Sequence, residues 1–112
     1  MAHNADAEVL YEKGVPSLVV PRTMFEDVKG VISDRFGAER FFEYETPSLG
    51  SEDFAWFSQF APVMQVSVGS RSDRPETALP LHNERVIFQE DCILTGVRAA
   101  CAIAAETTLR TV

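Results

Sequence analysis

Histidine, cysteine and positive charge are scarce in this sequence. Among 112 residues there are two histidines and two cysteines, and 10 basic residues are outweighed by 17 acidic ones, giving a net charge of −7. This balance disfavours nucleic-acid binding, which needs basic side chains to displace phosphate counterions. No run of 18 apolar residues predicts a transmembrane helix, and no basic start followed by an apolar block indicates a signal peptide. We therefore expect a cytoplasmic protein with no membrane partner.

Apolar residues are plentiful and indicate a folded domain. The chain is 46% hydrophobic and 24% charged, with eight phenylalanines and one tryptophan, values typical of a globular protein. Its length suits one domain. Cys92 and Cys101 are nine residues apart on one predicted helix, which places them on opposite faces and prevents a disulfide within that helix. We predict that both are buried as small hydrophobic residues.

The clearest helix is predicted over residues 22–37. Thr23 and Glu26 have the spacing of a capping box, and Gly37 suits the position just after the last turn. Gly30 inside the helix is expected to permit close packing, since glycine is otherwise unfavourable there. Four apolar residues recur at helical spacing and should face a core: Phe25, Val28, Ile32 and Phe36.

Three segments are predicted as strands. Residues 1–20 are interpreted as a short strand and a turn, residues 39–45 are rich in aromatic side chains, and residues 63–69 alternate between two faces. A short helix begins near Ser51, a plausible N-cap, and ends at Pro62.

The remaining residues comprise a long irregular segment and a second long helix. Residues 70–80 show no periodicity, and loops of this length are usually functional or disordered. The last helix is predicted over residues 89–106. The order of elements is therefore strand, helix, strand, helix, strand, loop and helix, which is an α/β fold class. One stripe of the last helix is apolar: Ile93, Val97, Cys101 and Ala104.

His82 is the most informative candidate site residue. A neutral imidazole is a common metal ligand, but a single histidine is more often a polar loop residue. The sequence offers no second histidine nearby and no paired cysteine motif. One ligand cannot hold a zinc or manganese ion, because stable sites need at least three protein donors.

Three further groups near the middle of the chain have two interpretations each. Glu52 and Asp53 could be acid–base groups or ligands, although charge at a helix start is the favoured interpretation. Gly50 and Ser51 could hold an anion with backbone N–H groups, whereas no partner arrangement supports Ser51 as a nucleophile. Two loop arginines could hold a substrate carboxylate, but solvated charges are favoured: Arg71 and Arg74.

The segment "PSLGSEDFAWFSQFAPVMQVSVG" resembles the C-terminal region of the metal-dependent aminoacylase/amidohydrolase family. This family includes hippurate hydrolases, N-acyl-amino-acid amidohydrolases, auxin-conjugate amidohydrolases and relatives of carboxypeptidase G. The order and spacing of the matching elements agree over about 60 residues. The matching elements are Gly50–Phe54, Pro62, Gly69, Leu81–His82, Glu90–Asp91 and Gly96.

The resemblance implies a two-metal centre of zinc, manganese or a similar ion, at which hydroxide attacks an amide carbonyl. His82 matches the last metal ligand of the family in chain order. Gly50 and Ser51 match the region that approaches the substrate and could bind its carboxylate. Glu52 and Asp53 match the motif as well, and we expect them to have a capping or supporting role.

The resemblance also implies a division of the chain. Residues 1–20 correspond to the last strand and hinge of a lid or dimerisation domain, and residues 21–112 to the C-terminal portion of the catalytic domain. The general base and the other metal ligands of the family lie in an N-terminal half, so we assign no catalytic residue here and expect no activity from this chain alone. It should need that half or self-association. The alternative is a non-catalytic small α/β module that binds itself or a partner.

Overall fold

The described part of the chain is built from helices and irregular segments. The computed structural model describes residues 6–109, with helix α1 at Arg22–Phe36 and helix α2 at Asp91–Leu109. Between residues 6 and 109 no β-strand is formed, so the predicted α/β fold class is wrong. Three short 3-10 helices complete the regular structure: Ala38–Arg40, Asp53–Gln59 and Pro75–Ala78.

The predicted strands lack a neighbour to pair with. A strand exists through backbone hydrogen bonds to an adjacent strand, and neither residues 39–45 nor residues 63–69 have one. Phe42 and Tyr44 of the first segment are largely exposed, at 83% and 80%. Residues 6–20 also have no regular secondary structure, and residues 1–5 of that predicted strand lie outside the described residues.

Helix α1 confirms the helix prediction in its extent and at its C-terminal end. Gly37 has a φ of 97°, and its N–H donates to the Ser33 carbonyl over 2.9 Å, so glycine occupies the left-handed position after the last turn. The N-terminal prediction is wrong, because the residue before the helix is Pro21 and no side chain caps it. Thr23 lies inside the helix instead.

A small core lies where α1 packs against α2. Val28, Val31 and Ile32 on one face of α1 are buried, and the ring of Phe25 meets that of Phe41 edge-on with 5.7 Å between centroids. Phe25 and Phe36 are only half-buried. Two residues from the middle of the chain complete the set of buried apolar side chains among the described residues: Ala55 and Val63.

The solvent-accessible surface of the chain is larger than that of a compact domain of the same mass. The chain exposes 10010 Å², whereas a compact monomer of 12.4 kDa exposes about 6,100 Å². The radius of gyration is 19.0 Å, against about 13 Å for a compact chain of this length. Among the described residues, 18 large hydrophobic side chains are exposed. This architecture has faces that a complete domain would cover.

Helix α2 carries both cysteines as free thiols. Cys92 is half-buried and Cys101 is exposed, so the prediction that both are buried is wrong. The two side chains point to different sides of α2, as their spacing predicts. Across residues 6–109, no helix has the length and apolar character needed to cross a membrane.

Gly30, in the middle of α1, allows the effect of a glycine-to-alanine substitution on the stability of the helix to be tested. A Cβ added there would meet no atom within 4 Å, so the expectation that Gly30 permits close packing is wrong. We expect Gly30→Ala to raise the free energy of unfolding by about 0.5–1 kcal/mol, because alanine loses less backbone entropy on folding. Urea unfolding followed by circular dichroism measures this change.

The same substitution at the end of the helix should act in the opposite direction. At Gly37 the positive φ is unfavourable for alanine. The Glu39 carboxylate, at the end of a flexible and exposed side chain, can move away from an added Cβ, so the backbone conformation sets the effect. We expect Gly37→Ala to lower the free energy of unfolding by about 1–2 kcal/mol. If Gly30→Ala lowers the free energy of unfolding, contrary to the expectation above, another surface must pack closely over the middle of α1.

Candidate functional site

His82 lies at the exposed tip of a long loop that is closed at its base. The Gln89 N–H donates to the Ser70 carbonyl over 3.1 Å, and this bond joins the two ends of the loop. At the tip, the Asn83 N–H donates to the Pro80 carbonyl over 3.0 Å, which makes a tight turn with His82 inside it. We call residues 70–89 the His82 loop.

A second set of hydrogen bonds stiffens the His82 loop near its tip. The Arg85 N–H donates to the Asn83 side-chain oxygen over 2.9 Å, and the Val86 N–H donates to the Asn83 carbonyl over 3.1 Å. Asn83 therefore organises the residues that follow His82, as asparagine commonly does in turns. The imidazole is presented from an ordered backbone.

The middle of the loop is organised by a buried threonine. Thr77 is 7% exposed. Its hydroxyl accepts the Ser72 N–H over 2.8 Å and donates to the Arg74 carbonyl over 2.7 Å. The lack of periodicity in residues 70–80 predicts function or disorder, but these contacts give the segment a defined structure. Sequence reasoning missed Thr77; the only local signal was Pro75, which suits the first position of the short helix that contains it.

The His82 side chain itself is left unengaged within the described part of the chain. His82 is exposed, and no hydrogen bond or ion pair of residues 6–109 involves its imidazole. No group of three or more His, Cys, Asp and Glu side chains in that range could hold a metal ion. The described residues therefore form no complete metal site around His82.

Gly50 and Ser51 lie in an exposed bend just before a 3-10 helix. The Gly50 N–H already donates to the Ser48 hydroxyl over 3.2 Å. The prediction that Ser51 is the N-cap is wrong. Glu52 occupies that position, and its side chain accepts the Phe54 N–H. Between residues 6 and 109 no hydrogen bond or ion pair joins this bend to His82, so the structure does not bring these candidates together.

Glu52 has the capping role that the sequence predicts for the acidic pair. Its carboxylate accepts the Phe54 N–H over 3.3 Å and the Gln65 side-chain amide over 3.5 Å. The first of these bonds contributes most to lowering the pKa of the Glu52 carboxyl, followed by a hydrogen bond with Asp53 and the bond from Gln65. A carboxyl with a lowered pKa stays charged at neutral pH, which suits a cap and not a general acid.

The remaining predicted residues are exposed. Phe57 and Phe60 of the short helix at Asp53–Gln59 and its C-terminal end are mostly exposed, and Ala55 is the residue that this helix buries. Arg71 is exposed, and Arg74 lies 3.9 Å from Glu76 in a surface ion pair, which fits solvated loop charges.

Two shallow grooves on the described surface lie away from the candidate residues. One of about 270 Å³ is lined by residues of both long helices, including Arg35 and Glu106. The other, of about 250 Å³, lies beside Pro75 and Arg85 in the His82 loop. Neither groove is lined by His82, Gly50 or Ser51.

Several proteins that this chain resembles in sequence are named as hydrolases. A protein of Synechocystis sp. named as a probable hydrolase is 32% identical over 95 residues, which is 85% of this chain and 24% of that protein. A protein of Bacillus subtilis that carries the name amidohydrolase is 24% identical over 102 residues, 91% of this chain and 26% of its own length. The resemblance to amidohydrolases is confirmed. A thermostable carboxypeptidase of Saccharolobus solfataricus is 34% identical over 58 residues, or 52% of this chain and 15% of that protein.

The amidohydrolase resemblance concerns a segment of these relatives. The chain spans about a quarter of the Synechocystis and Bacillus proteins. No family model matches the chain, and no solved structure matches it at a significant level. It therefore corresponds to a segment of hydrolase-family proteins, and about three quarters of each of those two relatives lies outside the match.

Proposed function

We propose that this chain forms the C-terminal part of a metal-dependent amidohydrolase catalytic domain that hydrolyses N-acyl amino acids or related amides. The observation that carries the proposal is His82, which is exposed and unengaged at the tip of an ordered loop, in a chain that resembles hydrolases. His82 matches the last metal ligand of the resembled family in chain order, and its exposed imidazole is free to bind an ion. A ligand that completes its site only in a larger assembly is left free, as His82 is.

His82 would contribute one position of a zinc or manganese site. A neutral imidazole suits either ion, and the turn at the loop tip holds its backbone in place. The described residues supply no further ligand cluster, so this chain would provide one ligand of such a site and not the full set. When bound, an ion of this kind polarises the substrate carbonyl and lowers the pKa of water.

Gly50 and Ser51 would lie beside the substrate. Their bend is exposed, and the Ser51 hydroxyl and backbone N–H are small donors that suit a carboxylate. Because Ser48 already accepts from the Gly50 N–H, we assign the direct contact to Ser51 and give Gly50 the role of allowing close approach. The Glu52 cap, with its Gln65 contact, fixes the end of this bend.

The second candidate function is a non-catalytic module that binds a partner. The large exposed apolar surface favours it, since such patches mark interaction sites. It predicts a folded, metal-free protein, whereas the hydrolase proposal predicts a metal-dependent activity once the rest of the domain is present.

The test uses a hybrid in which this chain replaces the segment that it matches in the Synechocystis relative; we call it the hybrid hydrolase. Purified hybrid is assayed for release of free amino acid from a panel of N-acetyl amino acids, before and after removal of metal with a chelator. We expect hydrolysis that is lost on chelation and restored by zinc or manganese.

The unmodified Synechocystis protein, assayed in parallel, is the control for the panel. A hybrid that folds and retains full activity without metal would contradict the proposal. So would a folded hybrid with no activity on substrates that the Synechocystis protein cleaves.

A further inference from the structure

The groove on the His82 loop combines two opposite charges with two apolar side chains. Its volume is about 250 Å³, and it is lined by Pro75, Glu76, Leu79 and Arg85; we call it the Arg85 groove. Pockets for drug-sized ligands begin at about 300 Å³. The Arg85 groove is therefore of a size for a smaller molecule.

The two walls of the Arg85 groove are held together by the backbone. The Ile87 N–H donates to the Glu76 carbonyl over 3.4 Å, which joins the segment that carries Arg85 to the segment that carries Glu76. Below the first wall lies the buried Thr77, and Asn83 accepts the Arg85 N–H over 2.9 Å. A ligand would meet walls that are already ordered, which lowers the entropic cost of binding.

Arg85 is a cation without a carboxylate partner in this structure. Its side chain is exposed, and within residues 6–109 its guanidinium forms no ion pair. The chain has 17 acidic and only 10 basic residues, so carboxylates are not scarce. An unpaired guanidinium at the edge of a groove is available to an anionic ligand.

Glu76 supplies the opposite charge on the other wall. Its carboxylate lies 3.9 Å from Arg74, and its side chain is 47% exposed. A pair of this length in solvent is weak, so the carboxylate can accept further hydrogen bonds. Glu76 and Arg85 both line the groove without pairing with each other within the described structure. The groove thus presents an acceptor and a donor that are separated by its width.

We propose that the Arg85 groove binds a free α-amino acid with an apolar side chain, such as leucine. The Arg85 guanidinium would take the ligand carboxylate, because its planar fork matches a carboxylate with two hydrogen bonds. Glu76 would accept hydrogen bonds from the ligand ammonium. Pro75 and Leu79 would contact the apolar side chain. Each lining residue then has a matching part of the ligand.

This ligand class distinguishes a product from a substrate. Hydrolysis of an N-acyl amino acid converts its amide nitrogen into an amine, which is largely protonated at neutral pH. The N-acyl form has no ammonium to offer to Glu76, so the groove should favour the free amino acid. The link to a reaction product rests on the proposed function, whereas binding to the groove does not, because it involves neither a metal nor His82.

The test is a nuclear magnetic resonance titration of the ¹⁵N-labelled 112-residue chain with L-leucine. We expect saturable shifts at the amides of Glu76, Leu79 and Arg85, with an affinity in the millimolar range because the contacts are partly in solvent. N-acetyl-L-leucine keeps the carboxylate and the side chain but lacks the ammonium. We expect it to bind about two- to fivefold more weakly, the range for one exposed ion pair.

Three substitutions that each remove one charge show which residues bind the ligand. Arg85→Gln and Glu76→Gln should each weaken leucine binding about two- to fivefold. Arg71→Gln is the matched control, because Arg71 is an exposed arginine of the same loop that does not line the groove. It should leave the affinity unchanged. Circular dichroism of each variant checks that the chain keeps its helices.

Three results would overturn the proposal. One is the absence of saturable shifts at the groove amides with L-leucine. Another is an equal effect of Arg71→Gln and Arg85→Gln, which would indicate nonspecific attraction of the carboxylate. The third is N-acetyl-L-leucine binding as tightly as leucine, which would mean that Glu76 does not recognise an ammonium.

The outcome is separable from that of the hydrolase proposal. Leucine binding by the 112-residue chain, together with a folded hybrid hydrolase that lacks metal-dependent activity, would support the Arg85 groove and reject the hydrolase assignment. An active, metal-dependent hybrid from a chain that shows no leucine binding would do the reverse.

Discussion

Alanine in place of His82 is expected to remove metal from the hybrid hydrolase while leaving its fold intact. Loss of a direct ligand should weaken metal binding more than about a hundredfold, since even the residues behind a ligand contribute 10–100-fold. Stability should hardly change, because the His82 side chain is exposed and makes no hydrogen bond or ion pair within the described residues.

The measurement is the ratio of metal to protein by elemental mass spectrometry after gel filtration, with a melting curve from the same sample. Leu81→Ala is the matched control, because Leu81 is the exposed neighbour in the same turn and has no donor atom. We expect the control to keep its metal. An unchanged metal ratio in His82→Ala would reject the ligand assignment, and a large drop in melting temperature would show that His82 supports the fold instead.

The prediction of His82 as a ligand came from family resemblance, and the structure adds how the residue is presented. Spacing and composition could place one histidine after an irregular segment, but they could not show that the segment is closed by the Ser70–Gln89 hydrogen bond. That bond joins residues 19 positions apart, and pairings at such separation carry no local sequence signal.

Helices were predictable because their hydrogen bonds are local. The periodic apolar residues of α1 and the glycine at its end are sufficient to specify it. The capping-box prediction was wrong because Pro21 itself occupies the N-cap position. Thr23 therefore lies two residues inside the cap position, and its hydroxyl does not cap the helix.

Strands were not predictable in this way, because a strand depends on its neighbours. Residues 39–45 have the aromatic composition of a strand, and residues 63–69 alternate between two faces. Within residues 6–109 no neighbouring strand pairs with either segment, so neither forms a β-strand.

Valine in place of Thr77 is expected to lower the free energy of unfolding by about 1–3 kcal/mol. Valine has nearly the shape of threonine, so packing is preserved while the hydroxyl is lost. The Ser72 N–H then loses its acceptor at 2.8 Å, and the Arg74 carbonyl loses one of its two donors. Because Thr77 is 7% exposed, water replaces these bonds poorly.

Urea unfolding of the 112-residue chain measures the loss, and amide exchange at Ser72 locates it. Thr77→Ser keeps the hydroxyl and should recover most of the stability. Thr95→Val removes a hydroxyl that is exposed and bonds only its own helix over 3.3 Å, so it should change little. If Thr77→Val lowers the free energy of unfolding no more than Thr95→Val does, the Thr77 hydroxyl does not organise the His82 loop. If it is destabilising as expected, the imidazole at the loop tip owes its position to a buried threonine several residues upstream.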